Sequence, residues 1–126
     1  ARFFISQLTE ALGLQQAVNC INNGVGGFTN IGNYVAGNGP WDTNANDFDG
    51  DGDSDVAASS AISDELRWDG NNSDGTWSAN PIITGFTGLT YLTGGDLNGD
   101  NRPDLVTSTY ENQSGADRID WWRNEP

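Results

Sequence analysis

The sequence lacks several residue types on which catalytic and metal sites commonly depend. Its 126 residues contain no histidine, no lysine and a single cysteine, Cys20. Imidazole zinc sites, Ser-His-Asp and Cys-His catalysis, Schiff-base chemistry and the phosphate-binding lysine of a P-loop are therefore excluded within this chain. The single cysteine also excludes an intramolecular disulfide and a multi-cysteine metal site.

Basic residues are scarce, and the acidic ones are of an unusual kind. Five basic residues, all arginine, stand against 18 acidic ones, which gives a net charge of −13. Nucleic acids and anionic membrane surfaces are therefore unfavourable partners and are not expected. Fourteen of the acids are aspartate, a residue that favours turns, caps and metal loops over helices. This balance predicts cations as partners.

Long apolar runs are also absent. No segment approaches the roughly 20 residues that a membrane-spanning helix needs, so no membrane insertion is predicted. The apolar residues that follow Arg2 are too few for a signal peptide. We expect either that an export signal has been removed or that the chain is a piece of a longer protein.

An internal repeat organises the chain. Two aspartate runs, residues 47–55 (DFDGDGDSD) and 96–104 (DLNGDNRPD), begin 49 residues apart. A short β-like run, a polar stretch and an aromatic strand that ends in asparagine follow each of them. A third copy of that strand, residues 18–23, lies upstream without an acidic loop. The period predicts one β-propeller segment built from repeats at about residues 1–39, 40–88 and 89–126.

Each full period contains four strand-length runs separated by turn signals, as hairpin-connected sheets require. The predicted strands are residues 3–6, 18–23, 29–36, 41–46, 56–60, 66–71, 78–87, 90–95, 105–109 and 119–124. They predict an all-β fold of β-propeller-type blades of four antiparallel strands, with about two and a half blades in the order three, four and three strands. A rival local interpretation is a short helix from Ser6 to Gly13.

The two loops with their following strands resemble FG-GAP/VCBS repeats, the calcium-binding blades of integrin-like extracellular β-propellers. The resemblance is strong over residues 47–124 and weak before them. It implies a secreted protein with two Ca²⁺ sites, each using loop positions one, three, five and nine by side chain and position seven by backbone carbonyl. The implied ligands are Asp47, Asp49, Asp51, Asp55 and the carbonyl of Asp53 in the first loop, and Asp96, Asn98, Asp100, Asp104 and the carbonyl of Arg102 in the second.

The chemistry of the loops is consistent with calcium, which takes six to eight hard oxygen ligands, whereas magnesium prefers fewer protein ligands. Gly50 and Gly52 permit the backbone angles of a tight loop, and Asn101 is the non-glycine type that best tolerates a left-handed conformation. Asn98 removes one anionic ligand, so we expect weaker binding in the second loop. A merely solvated acidic surface is disfavoured, since unit charges about 4 Å apart repel by roughly 1 kcal/mol in water and about 4 kcal/mol at an intermediate dielectric.

Two other calcium loops fit the sequence less well. An EF-hand that started at Asp47 would need a glutamate at its twelfth position, where Ala58 stands, and flanking helices. Dockerin-like loops also precede helices, whereas β-forming residues 105–109 follow the second loop.

The tryptophans suggest both a core and a binding surface. Trp68 and Trp121 share a face with Leu66 and Ile119, two residues earlier, and we expect all four in the core between blades. Exposed tryptophans could instead stack on sugar rings, the candidates being Trp41, Trp77 and Trp122. Two glycosylation sequons begin at Asn71 and Asn112, and they would matter only in a glycosylating host.

The sequence favours binding over catalysis. The glutamates, which glycoside hydrolysis would need as a pair, are scattered at positions 10, 65, 111 and 125. The predicted function is therefore a non-catalytic, calcium-stabilised extracellular module for adhesion or for glycan or protein binding. A self-assembling structural subunit and an accessory propeller part of a polysaccharide-degrading enzyme remain alternatives, and the chain is expected to be a homo-oligomer or a piece of a longer chain.

Overall fold

The computed structural model describes residues 2–6, 16–22, 24–35, 37–84, 87–110 and 117–126, and these residues form ten strands and no helix. The described residues therefore include no candidate for a membrane-spanning helix. The strands are β1 (Arg2–Ser6), β2 (Gln16–Asn22), β3 (Phe28–Val35), β4 (Pro40–Asn46), β5 (Asp55–Ser60), β6 (Glu65–Asn71), β7 (Trp77–Thr84), β8 (Leu89–Gly95), β9 (Asp104–Thr109) and β10 (Arg118–Trp122).

The strands form three antiparallel sheets in the predicted order of three, four and three strands. The first sheet is β1-β2-β3, the middle sheet is β4-β5-β6-β7, and the last sheet is β8-β9-β10. This arrangement confirms the prediction of an all-β fold built from propeller-type blades, complete in the middle and partial at either side. The rival helix at Ser6–Gly13 is not found at Ser6, which ends β1, and its residues 7–13 lie outside the described part of the chain.

Two predicted strands are shorter than expected. The strand predicted to run to residue 87 ends at Thr84, and the strand predicted to run to Asn124 ends at Trp122. The last strand ends where its pairing with β9 ends, at Trp122, whereas β6 reaches Asn71 because it also pairs with β7.

Both faces of the middle sheet are covered. All six residues of β5 are buried, which is the pattern of a strand packed on both sides rather than on one. The strand β4 contacts β1 of the first sheet and β8 of the last sheet. Ala57 and Leu66 face the last sheet and are fully buried there, in a core with Phe48, Leu89, Leu92 and Leu105.

Hydrogen bonds also join the middle and last sheets. The hydroxyl of Ser59 donates to the carbonyl of Thr90 at 2.8 Å. The backbone N–H of Leu92 donates to Oδ2 of Asp42 at 2.9 Å. These two hydrogen bonds add a defined relative position of the two sheets to the apolar core between them.

The expectation for the tryptophans is correct in the middle sheet and wrong in the last. Trp68 packs against the core, with its ring centroid 6.2 Å from that of Phe48. Trp121 and Ile119 are instead 54% and 78% exposed, because they lie on the face of the last sheet that no described sheet covers. Trp122 takes the inner place, packing against the core and donating its indole N–H to Oγ1 of Thr107 at 2.8 Å.

Candidate metal centre

The first acidic loop, residues 47–55, connects β4 to β5. Its conformation is held by the side chain of its first residue, Asp47. Asp47 accepts hydrogen bonds from the backbone N–H of Gly50 at 2.7 Å and of Gly52 at 3.0 Å. Both glycines have positive φ, 82° and 92°, which explains why the sequence places glycine at these two positions. The chain is thereby wrapped around the Asp47 carboxylate.

The second loop, residues 96–104, repeats this geometry between β8 and β9. Asp96 accepts hydrogen bonds from the N–H of Gly99 at 2.7 Å and of Asn101 at 2.8 Å. Asn101 adopts φ of 64°, so asparagine fills the left-handed position that glycine holds in the first loop. These N–H groups, that of Asn101 foremost, lower the pKa of Asp96 below its ordinary value.

The middle positions of the two loops also correspond. Oδ1 of Asp49 accepts the N–H of Asp51 at 3.1 Å, and Oδ1 of Asn98 accepts the N–H of Asp100 at 3.0 Å. The same contact recurs two residues later in each loop. Oδ1 of Asp51 accepts the N–H of Asp53, and Oδ1 of Asp100 accepts the N–H of Arg102. The second loop is therefore folded like the first, although it has one carboxylate fewer.

The last residue of the first loop ties the loop to the rest of the sheet. Asp55 is completely buried. Its Oδ2 accepts the N–H of Phe48 at 2.8 Å, and its Oδ1 accepts the N–H of Asn71 at 2.9 Å. Burial raises the pKa of Asp55 against the opposing effect of these two hydrogen bonds. A nearby cation would favour the ionised form of this carboxylate.

The last residue of the second loop makes the same contacts. Asp104 is also completely buried. Its Oδ2 accepts the N–H of Leu97 at 3.3 Å, and its Oδ1 accepts the N–H of Asn124 at 2.9 Å. In both sheets, the last aspartate of the loop thus joins two backbone N–H groups. One belongs to the second residue of the loop, and the other to the asparagine that follows the aromatic segment.

Only part of the predicted ligand set is gathered in space. Asp47, Asp49 and Asp55 each bring a carboxylate oxygen within 4.8 Å of the others, and no further group of three acidic or cysteine side chains does so among the described residues. Asp51 is exposed and outside this group. Asp53 is outside it as well, and its side chain accepts a hydrogen bond from the hydroxyl of Ser73.

In the second loop, Asp96, Asp100 and Asp104 do not form such a group in the described structure. The amide of Asn98 stands where the first loop has Asp49, and its Nδ2 donates to Oδ2 of Asp100 at 2.8 Å. The side chain of Arg102 is exposed, as expected for a position whose predicted ligand is its carbonyl. The two complete ligand sets remain predictions.

The role of Asn71 and Asn124 was not predicted from the sequence. Both residues end an aromatic segment, and this repetition could have indicated a shared structural role. The Nδ2 of Asn124 donates to the carbonyl of Phe48 at 2.8 Å and to that of Pro103 at 3.3 Å. It therefore links the acidic loops of neighbouring sheets. Asn71 donates to the carbonyl of Ser54 at 3.3 Å and is only 4% exposed. Its amide is engaged inside the sheet, so it is not a glycan acceptor in this fold, while Asn112 lies outside the described residues.

The comparisons with known proteins agree with this geometry. Residues 47–107 match the family model described as an FG-GAP-like repeat. This segment is similar to an FG-GAP-like repeat. The repeat includes both acidic loops and the strands β5 to β8, which confirms the resemblance drawn from the sequence. No curated protein and no solved structure matches the chain.

Replacing Asn124 with alanine should destabilise the protein by about 1–3 kcal/mol, because part-buried hydrogen bonds to the carbonyls of Phe48 and Pro103 would be lost. Urea unfolding followed by tryptophan fluorescence measures the effect, in EDTA so that metal affinity does not contribute. Asn38→Ala, at an exposed position, is the matched control and should stay within about 0.5 kcal/mol of the wild type. Equal stability of the two variants would contradict the assigned link between the loops.

Proposed function

We propose that this chain is a calcium-stabilised propeller module of an extracellular protein, with a structural and binding role rather than a catalytic one. The observation that carries the proposal is the convergence of Asp47, Asp49 and Asp55 within 4.8 Å, inside an FG-GAP-like repeat. Three carboxylates at that spacing repel one another strongly unless a cation lies between them. Hard oxygen ligands in this number favour calcium.

The position of the loops explains how calcium would act on stability. Each loop closes the hairpin of the first two strands of a blade, and its buried last aspartate bonds to the end of the third strand. A cation bound to Asp47, Asp49 and Asp55 would neutralise the loop and hold three segments of one blade together. Metal binding is then coupled to folding, since the unfolded chain has no such site.

Removal of calcium should lower the stability of the protein markedly. At free calcium a hundredfold above the dissociation constant, each occupied site stabilises the folded state by about 2.7 kcal/mol. Thermal unfolding by circular dichroism, with excess calcium and then with EDTA, measures the difference. Asp51→Ala and Asp100→Ala should each remove part of the calcium-dependent shift. Identical unfolding temperatures under both conditions would contradict the proposal.

An exchange of one residue between the loops tests the assignment of each site. Asp49→Asn gives the first loop the amide of the second, and Asn98→Asp gives the second loop the carboxylate of the first. Isothermal titration with calcium should show weaker binding at one site for Asp49→Asn and stronger binding at one site for Asn98→Asp. Because aspartate and asparagine have nearly the same size and shape, both variants should keep the wild-type fold, and a change in affinity then reports on the bound ion. Unchanged affinities in both variants would show that positions 49 and 98 do not bind the ion.

A surface for the binding role lies at the end of the strands opposite the acidic loops. Trp41, Tyr91 and Tyr110 line a groove of about 790 Å³ there, and they are 55%, 65% and 61% exposed. Thr90 and Ser108 add hydroxyl groups to its lining. Exposed aromatic rings beside hydroxyl groups suit the apolar faces and hydroxyls of sugar rings. The net charge of −13 favours a neutral glycan over an acidic one.

A glycan array probed with the calcium-loaded protein tests this role. Binding to neutral oligosaccharides is expected, and Trp41→Ala should reduce it at least tenfold by removing a stacking surface. Trp77→Ala is the control, because Trp77 is half-buried and does not line the groove. The absence of any bound glycan with folded, calcium-loaded protein would count against glycan binding at this groove. An equal loss of glycan binding in both variants would also count against it. Neither result would bear on the proposed calcium sites.

A further inference from the structure

The second acidic loop contains an asparagine followed directly by a glycine, Asn98 and Gly99. In such a pair the backbone nitrogen of the glycine can attack the side-chain amide of the asparagine, because glycine carries no side chain that would block the approach. Both residues are exposed, so water reaches them. A Cβ placed on Gly99 would have no neighbour within 4 Å, so the space around this residue is open.

The loop holds the amide of Asn98 close to the nitrogen that would attack it. Oδ1 of Asn98 accepts the backbone N–H of Asp100 at 3.0 Å, a turn in which an asparagine side chain folds over the peptide that follows it. Nδ2 of Asn98 donates to Oδ2 of Asp100 at 2.8 Å, which fixes the orientation of the amide. The N–H of Asp100 therefore points at the oxygen on which negative charge develops when Cγ is attacked, and it stabilises that charge.

The nitrogen of Gly99 has a proton acceptor beside it. Its N–H donates to Oδ1 of Asp96 at 2.7 Å, so a carboxylate oxygen faces the proton that this nitrogen loses as it forms the new bond. The backbone of Gly99 has φ of 81°, a conformation that glycine adopts at no steric cost. An acceptor for the proton, a donor for the developing charge and an exposed amide thus meet at one peptide bond.

We propose that Asn98 is a site of spontaneous deamidation, and that the fold of the second loop promotes the reaction. The bond between Cγ of Asn98 and the nitrogen of Gly99 forms while the bond between Cγ and Nδ2 breaks. The proton lost by the glycine nitrogen leaves with the amide nitrogen as ammonia. Water then opens the cyclic imide and leaves aspartate or isoaspartate at position 98.

Another asparagine–glycine pair provides a comparison within the described part of the chain. Asn38 is exposed like Asn98, but the glycine that follows it, Gly39, is buried. The carbonyl of Asn38 accepts the N–H groups of Ile62 and Ser63 at 3.2 and 3.0 Å, and the carbonyl of Gly39 accepts that of Ala61 at 2.8 Å. These bonds prevent the peptide from turning its nitrogen towards the amide of Asn38. The same dipeptide is therefore reactive in the loop and protected in the turn.

The modification has a consequence for metal binding, which rests on the proposed calcium sites. Position 98 corresponds to Asp49, one of the three carboxylates that converge in the first loop. Aspartate at position 98 gives the second loop a carboxylate at each side-chain position, as in the first loop, and raises its calcium affinity. Isoaspartate adds a carbon to the backbone, displaces the N–H groups of the loop and lowers the affinity. Calcium titration of the separated products measures both changes, and unchanged affinities would overturn this consequence alone.

Peptide mapping by mass spectrometry tests the deamidation itself. The protein is incubated in mildly alkaline buffer with EDTA, at a temperature where circular dichroism shows it to be folded. Each deamidation adds about one dalton, since ammonia leaves and water enters. The peptide that contains Asn98 should be converted at least tenfold faster than the peptide that contains Asn38. In urea the two rates should come within about twofold of each other, because the fold no longer holds either dipeptide.

Two variants identify the reacting group. Asn98→Gln keeps an amide but lengthens the side chain by one carbon, so ring closure is slower and conversion at position 98 should cease on the timescale of the experiment. Asn38→Gln is the matched control and should leave the rate at Asn98 unchanged. An unmodified Asn98 in the folded protein, or equal rates at Asn98 and Asn38, would overturn the proposal. Neither result would bear on the calcium sites, which calcium titration of the unmodified protein tests separately.

Discussion

The buried aspartate at the end of each acidic loop is the contact on which the geometry of the blades depends. Asp55 and Asp104 are completely buried, and each accepts one N–H from the second residue of its own loop and one from the asparagine beyond the aromatic segment. A hairpin, its loop and the following strand are fixed together by one side chain. The same burial raises the pKa of Asp55, so the stabilising contact carries an electrostatic cost that a bound cation would offset.

The loops also influence how the sheets stack. Phe48, the second residue of the first loop, is buried in the core against Trp68, while its carbonyl accepts a hydrogen bond from Asn124, which lies 76 residues away in the chain. The contacts of Phe48 with Trp68 and Asn124 therefore couple the conformation of the loop to the packing of neighbouring blades. A cation in the loop would thus stabilise both the blade that binds it and the interface with the next blade.

Most of the fold could be predicted because the sequence repeats. The repeat of strand-length runs between turn signals predicted all ten strands, and the left-handed position of Asn101 followed from its alignment with Gly52. Alternation within a strand assigns residues to two faces, but it does not show which face another sheet covers, so Trp121 was wrongly placed in the core. The link made by Asn124 arises only when two sheets stack. The gathering of Asp47, Asp49 and Asp55 without Asp51 likewise depends on the loop's backbone path and could not follow from residue spacing.

The central claim is that a cation lies among the carboxylates of these loops. A crystal structure of the protein grown in millimolar calcium, with anomalous differences recorded, tests it most directly. The account predicts an anomalous peak in the first loop at about 2.3–2.6 Å from oxygens of Asp47, Asp49 and Asp55, and a second, weaker peak beside Asp96. Well-ordered loops without any peak under those conditions would contradict it.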